Sequence, residues 1–233
     1  LQAQSPRLVL STATTDESYL RAVYVLNHYL VQITGAPPET LRSDKKLRAR
    51  PLIYVGPNPA LKKYGLSVPA HLPDDAVYLQ GRDNVFVVAG GGSNGPEYAA
   101  CALLELLGCR RYSPVDSFIP RIPNLRLPDY PARLDTPAFP YRELWYQPAT
   151  NVDWARWHRL KTRPEKKAEW GLFVHTFHTL CSAEMYFSEH PEYFSWNGAQ
   201  YSPAQLCLSN DTVKQIVIES LRERMASNPG AQY

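Results

Sequence analysis

The sequence predicts an α/β protein: a mixed sheet with flanking helices, followed by the first two or three βα units of an incomplete TIM barrel. Three observations lead there. Apolar runs of strand length alternate with runs of helical period through residue 107. Seven prolines then crowd residues 112–140, and no helix can run through them. Strand–helix alternation resumes afterwards, yet fewer than 100 residues follow Pro137, against about 250 for a complete (β/α) barrel. We therefore expect two domains. Residues 1–131 form an accessory α/β domain with the start of the proline-rich linker, and residues 132–233 the N-terminal part of a barrel.

The elements follow in order. Arg7–Ser11 is a short apolar run suited to a buried strand. Thr14, Thr15 and Asp16 offer a cap to a helix over Ser18–Ile33, where Leu20, Val23, Leu26, Leu30 and Ile33 recur at helical spacing. Gly35, Pro37 and Pro38 stop it. Pro51–Val55 is a second strand, and Pro59–Tyr64 a short helix closed by Gly65. Ala76–Gln80 and Val85–Ala89 flank Gly81-Arg82-Asp83-Asn84, a hairpin signal. The run Gly90–Gly95 lacks the spacings of phosphate-binding loops and reads as a flexible strand-to-helix connection. Pro96–Leu107 is a strongly apolar helix ended by Gly108. Residues 112–140 read as an extended, ordered linker with one or two short strands.

Beyond the linker, Tyr141–Tyr146 and Gly171–Val174 read as strands, Val152–Leu160 and Glu184–His190 as short helices. His190–Phe194 and Trp196-Asn197-Gly198 form a loop with a β-turn, whose aromatics serve either as a sugar platform or as packing. Asp211–Met225 is an amphipathic helix capped by Ser209 or Asn210, with Val213, Ile216, Val217, Ser220, Leu221 and Met225 on one face.

Composition narrows the function. A net charge of +3 over 233 residues argues against a nucleic-acid partner, which needs a concentrated basic face. The basic cluster Arg42, Lys45, Lys46, Arg48 and Arg50 reads as a solvated loop. No run of about 18 apolar residues exists, so no membrane-spanning segment is expected. The start, Leu1-Gln-Ala-Gln-Ser-Pro6, lacks a methionine and resembles either the remnant of a removed export signal or a trimmed end; a secreted, periplasmic or cell-surface location is expected. Cys101, Cys109, Cys181 and Cys207 contain no CxxC pair, which argues against zinc; no cofactor and no metal are expected. Cys101 reads as a buried thiol, and both a Cys101–Cys109 and a Cys181–Cys207 disulfide stay open.

Two groups of motifs resemble known families. Asn94-Gly-Pro-Glu-Tyr-Ala-Ala-Cys-Ala-Leu-Leu-Glu-Leu-Leu-Gly-Cys-Arg-Arg-Tyr-Ser-Pro114 resembles the end of the accessory domain that precedes the barrel of β-hexosaminidases and α-glucuronidases. Arg111 stands where those families usually carry Trp. Pro140-Tyr-Arg-Glu143, Val174-His-Thr-Phe-His178, Tyr186–Phe194 and Gln205–Asn210 resemble an uncharacterised family of secreted bacterial proteins that joins this accessory domain to a glycosidase-like barrel. The resemblance implies the N-terminal portion of a glycoside hydrolase acting on a polysaccharide or oligosaccharide. The alternative is a non-catalytic carbohydrate-binding or assembly module with a degenerate or truncated barrel. Either implies a carbohydrate ligand, and an open barrel face would invite self-association.

Candidate substrate-binding residues sit where barrel strands should end, the active-site side of such folds. Arg142 suits bidentate bonding to a sugar carboxylate or vicinal hydroxyls, with Glu143 to orient it or accept from a hydroxyl; a buried salt bridge is the structural alternative. His175 and His178 suit hydrogen bonds to sugar hydroxyls, and their His-x-x-His spacing has no third metal ligand. Catalytic residues stay unassigned: Glu143, Glu184 and Glu192 match no catalytic motif, and glycosidases usually need two flanking carboxyl groups.

Overall fold

The computed structural model describes residues 8–48, 51–160 and 170–231. Arg7 and Arg50 fall outside the described residues. The chain divides into two compact units, Leu1–Lys161 and Thr162–Tyr233.

The first unit is built on a six-stranded mixed sheet in the order β2-β1-β3-β5-β4-β8. The strands are β1 (Val9–Thr12), β2 (Glu39–Arg42), β3 (Leu52–Val55), β4 (Val77–Arg82), β5 (Val85–Gly90) and β8 (Tyr130–Asp135). β1 runs parallel to β2 and β3, and β3 parallel to β5; β4 is antiparallel to both its neighbours. The β4–β5 hairpin turns on Asp83 and Asn84, both left-handed at φ +51° and +62°. That backbone matches the twist of the flanking strands and suits Asp and Asn.

Alternation along the strands sorts the core into two faces. Leu10, Ile53, Val55, Phe86 and Val88 point toward α1 (Glu17–Thr34) and α2 (Gly95–Leu106). Val9, Leu52, Tyr54, Val85 and Val87 pack against Ala60, Leu61 and Leu66 on the other face. β5 is buried along its whole length, which explains its unbroken apolar run. Asp16 caps α1 by accepting from the Ser18 amide at 2.8 Å, and Gly35 ends it at φ +79°. The buried stripe is Ala22, Leu26, Leu30 and Ile33. Leu20 is 41% exposed, so the helix is rotated from the face its largest apolar residues suggest.

The glycine run is packed rather than flexible. A Cβ on Gly90 would collide with the Gly95 backbone, and one on Gly91 with the Pro73 carbonyl. A Cβ on Gly95 would lie 2.6 Å from the Ala76 carbonyl oxygen. Two chain segments cross here at backbone contact, and only glycine fits.

The proline-rich segment lies against this unit. The Ile122 amide donates to the Ile33 carbonyl at 2.7 Å, and the Leu127 amide to Asn84 Oδ1 at 2.7 Å. Leu125 and Leu127 are buried. A two-stranded ribbon, β6 (Arg110–Arg111) with β7 (Ser117–Phe118), precedes the edge strand β8, where Pro131 is tolerated. The sheet thus runs on to Asp135, and the contact division falls after Lys161, downstream of the boundary at 131/132 expected from composition. Helix α3 (Val152–Trp157) adds Trp157 to the core beside Tyr29, with ring centroids 5.1 Å apart.

Two expected strands do not form. Tyr141–Tyr146 has no strand pairing, and Tyr141, Arg142 and Glu143 make the side-chain contacts described below; Gly171–Val174 is irregular and carries no strand pairing. The second unit instead holds short helices α4 (Phe177–Leu180) and α5 (Ala183–Tyr186), an antiparallel hairpin of β9 (Phe194–Trp196) and β10 (Tyr201–Leu206), and helix α6 (Asp211–Ser227). Its core is Cys181, Phe194, Leu206 and Val213. Asn210 caps α6, accepting from the Thr212 amide at 2.9 Å.

Leu26→Ala is expected to destabilise the first unit by about 2–5 kcal/mol, since the helix cannot collapse onto the cavity. Leu20→Ala should change stability by no more than about 0.5 kcal/mol. Urea unfolding followed by far-UV dichroism checks both.

Candidate functional site

Of the four expected ligand residues, Arg142 and Glu143 lie in the first unit and His175 and His178 in the second. Arg142 is largely buried. Its Nη2 donates to Asp75 Oδ2 at 2.7 Å, its Nε to the Arg159 carbonyl at 2.7 Å and its Nη1 to the Phe139 carbonyl at 2.8 Å. Side-chain exposure is 15% for Arg142 and 10% for Asp75, so the pair is held away from water. The guanidinium fork therefore staples residues 139 and 159 to the turn before β4. Tyr141 donates to Glu143 Oε2 at 2.8 Å. Burial, with the neighbouring Glu143 carboxylate, raises the Tyr141 hydroxyl above its ordinary pKa.

Similar bonds hold α3. Glu97, buried on α2, faces Arg21 Nε at 3.8 Å and Arg156 Nη1 at 3.6 Å. Arg159 reaches Glu105 at 3.1 Å and Asp135 at 3.7 Å. These ion pairs fix the segment 139–160 on the first unit.

His175 is exposed and left-handed at φ +55°, and His178 is exposed on α4. Among the described residues no group of three or more His, Cys, Asp or Glu could hold a metal. Around the β9–β10 hairpin, aromatic side chains divide by role. Phe194 is core. His190 stacks on Tyr193 at 4.5 Å with the rings 7° from parallel, and its Nδ1 lies 3.1 Å from Glu192 Oε1. Trp196 and Tyr201 pair across the hairpin in a T-shape at 5.2 Å, yet stay 58% and 40% exposed. The turn between them is fixed by Asn197 Oδ1, which accepts from the Ala199 and Gln200 amides at 3.0 and 2.9 Å.

Two of the cavities in the first unit are marked by no sequence motif. One, of about 570 Å³, opens at the carboxyl ends of β1, β3 and β5, lined by Asp16, Tyr19, Arg21, Pro57, Leu72 and Gly90–Ser93. Strand-end position was the signal that could have found it. Two of its polar groups are engaged within the chain: Tyr19 donates to the Gly90 carbonyl at 2.9 Å, and Arg21 Nη2 to the Ser93 carbonyl at 2.7 Å. The other, of about 320 Å³, is lined by Lys46, Lys63, Tyr64, Gly65, Arg82 and Asp83. It gathers residues from three segments, which no local motif could reveal.

All four cysteines are free thiols. Burial pushes Cys101 and Cys181 up, and Cys109 up to about 11. Cys207 goes the other way, because the Ser209 hydroxyl, 3.2 Å from its sulfur, and nearby amides favour the thiolate.

A domain family described as a domain of unknown function, DUF4838, matches residues 111–233. The chain belongs to this DUF4838 family. The DUF4838 stretch takes in Arg142 and Glu143, His175 and His178, and the aromatic hairpin. No curated protein matches the chain. Among solved structures, a family GH115 4-O-methyl-α-glucuronidase with specificity for decorated arabinogalactans is similar at 20% identity and a TM-score of 0.43 over 61% of this chain and 19% of that one. A GH138 enzyme targeting pectin rhamnogalacturonan II is similar at 19% identity and a TM-score of 0.31, over 44% of this chain and 13% of that one. The Flavobacterium johnsoniae chitobiase is similar at 14% identity and a TM-score of 0.37, over 95% of this chain and 30% of that one. This chain spans less than a third of each of those proteins.

Arg142→Ala removes the 2.7 Å ion pair from the mostly buried Asp75 carboxylate, and is expected to destabilise the first unit by about 3 kcal/mol. Replacing both residues together should cost less than that single change, a sign a thermal-melt double-mutant cycle can read. Under native conditions, iodoacetamide at mild alkaline pH should modify Cys207 well before the other three thiols, as peptide mass mapping would show.

Proposed function

We propose that this DUF4838 chain binds a saccharide and forms the N-terminal portion of a glycoside hydrolase acting on a polysaccharide or oligosaccharide. The observation that carries the reading is the Trp196–Tyr201 pair. The core of the second unit is filled without it, and both rings remain exposed on a turn fixed by its own hydrogen bonds. A pyranose offers a face of C–H groups that stacks on such a ring, and rings already held in place lose little entropy on binding. The resemblance of the 140–210 motifs to a secreted glycosidase-like family supports the same reading. In it, residues 132–233 contribute to the opening of a barrel, the location is extracellular or periplasmic, and His175 and His178, both exposed, bond sugar hydroxyls. Arg142 braces residues 139 and 159 within the first unit, since Asp75 and two carbonyls hold its guanidinium.

We assign no catalytic acid in this chain. A non-catalytic carbohydrate-binding module is the second reading, and the commitment of Arg142 to Asp75 favours it.

The 233-residue chain should show no turnover of aryl glycosides in a chromogenic assay. On a glycan array it should bind oligosaccharides, and Trp196→Ala should weaken that binding about tenfold, the loss of one stacked ring. Turnover would overturn the absence of catalytic acids; an array without binding would overturn both readings.

A further inference from the structure

The basic cluster Arg42, Lys45, Lys46, Arg48 and Arg50 has a second half elsewhere in the chain. Lys46 comes from the β2–β3 loop, Lys63 from the 3₁₀ turn Pro59–Tyr64, and Arg82 from the end of β4. All three line the cavity of about 320 Å³ in the first unit, with Asp83 the one carboxylate among its lining residues. We propose that this cavity is a binding site for the anionic group of an acidic saccharide, a carboxylate or sulfate ester carried on a sugar ring.

The loop is held in place. The Tyr64 hydroxyl donates to the Leu47 carbonyl at 2.5 Å and accepts from the Leu47 amide at 2.8 Å. The Tyr54 hydroxyl donates to the Lys45 carbonyl at 3.2 Å. Two tyrosines rooted in the first unit thus position the backbone on either side of Lys46. The Lys46 ammonium then sits 5.3 Å from the Tyr64 ring centroid, over a face that attracts cations.

The opposite wall is cut to fit a guanidinium. Gly65 closes the 3₁₀ turn at φ +70°, and a Cβ there would lie 3.0 Å from Arg82 Nη1. The glycine supplies both the backbone and the room. Arg82 has an ion-pair partner in Asp83 at 3.7 Å, but that pair is 63% and 80% exposed and holds the guanidinium weakly. Among the described residues no carboxylate is within ion-pair distance of Lys46 or Lys63.

Three cations around one small cavity repel one another, and a bound anion relieves that repulsion. Arg supplies a planar fork suited to a carboxylate or sulfate, and the lysines supply point charges. A nucleic acid would need a long basic stripe; here 25 basic residues face 22 acidic ones over the whole chain, and the cations converge on a single cavity. That the anion is carried on a sugar rests on the proposed carbohydrate role; the anion site itself rests on the cavity.

Calorimetric titration of the 233-residue chain tests the site. The probes are tri-galacturonate, its carboxyl-reduced neutral trimer, and sodium sulfate. Tri-galacturonate should bind most tightly, with affinity falling as salt rises. The variant carrying Lys63→Gln and Arg82→Gln should bind it at least about tenfold more weakly, while its thermal melt and the array signal that depends on Trp196 stay unchanged. Equal binding of the acidic and neutral trimers, unaffected by the variant, would overturn the anion site and leave the saccharide reading standing. Sulfate binding as tight as tri-galacturonate would overturn the saccharide part and reduce the cavity to an ion site. No binding of any probe would overturn the inference entirely.

Discussion

Where β5 leaves the sheet, its chain crosses the segment leading into β4 at backbone contact. The Asp75 amide donates to the Gly91 carbonyl at 3.1 Å, and the Gly91 amide to the Ala76 carbonyl at 3.1 Å. Gly91 and Gly95 permit the approach, since a side chain on either would strike the backbone leading into β4, and one on Gly90 would strike the Gly95 backbone. This crossing puts Asp75 into a left-handed turn at φ +60°, with its carboxylate turned toward Arg142. Arg142 then draws in residues 139 and 159, and Arg156 and Arg159 complete the attachment on α2. A steric constraint in a run of glycines is therefore what lets a stretch 67 residues downstream become part of the first unit.

That dependence explains what the sequence could and could not disclose. Local patterns sufficed where the determinant is local. The Asp16 and Asn210 caps, the Gly35 stop, the Asp83-Asn84 turn and the helix over 211–227 each depend on neighbours within a few residues. The strand expected at Tyr141–Tyr146 failed because a strand needs a neighbour to pair with, and Arg142 is engaged instead by a partner far along the chain. Gly171–Val174 is equally apolar and equally unpaired. Conversely, β2 and β10 escaped notice because they are edge strands rich in polar residues, and β10 carries Pro203. On α1, side-chain size misled: Ala22 faces the core and the larger Leu20 faces outward, since close packing between helices and sheet rewards fit over bulk.

The same contrast applies to the candidate ligand residues. Arg142 has the fork chemistry that suits a ligand carboxylate, but its partner is a largely buried carboxylate of the same chain. Its two backbone acceptors complete a geometry in which desolvation is offset by three hydrogen bonds. The histidines are exposed. The aromatic hairpin was visible as composition, but its division into a core Phe194, a stacked His190–Tyr193 pair and an exposed Trp196–Tyr201 pair comes only from strand register.

Charge, burial and partner together separate the arginines that build this protein from those that meet a ligand. Arg142, Arg156 and Arg159 each face a carboxylate across elements, in settings from largely buried to about one-third exposed. Their interactions are screened less than those at an open surface, so they contribute to holding the segment 139–160 in place. Arg82 has a carboxylate too, but on the adjacent residue and in water, where the pairing costs side-chain entropy and yields little. Lys46 and Lys63 stand beside it without such a partner among the described residues. A fold that pairs its structural arginines across elements, yet directs three loosely held cations into one cavity, leaves its unspent electrostatic attraction there, available to an anion from outside.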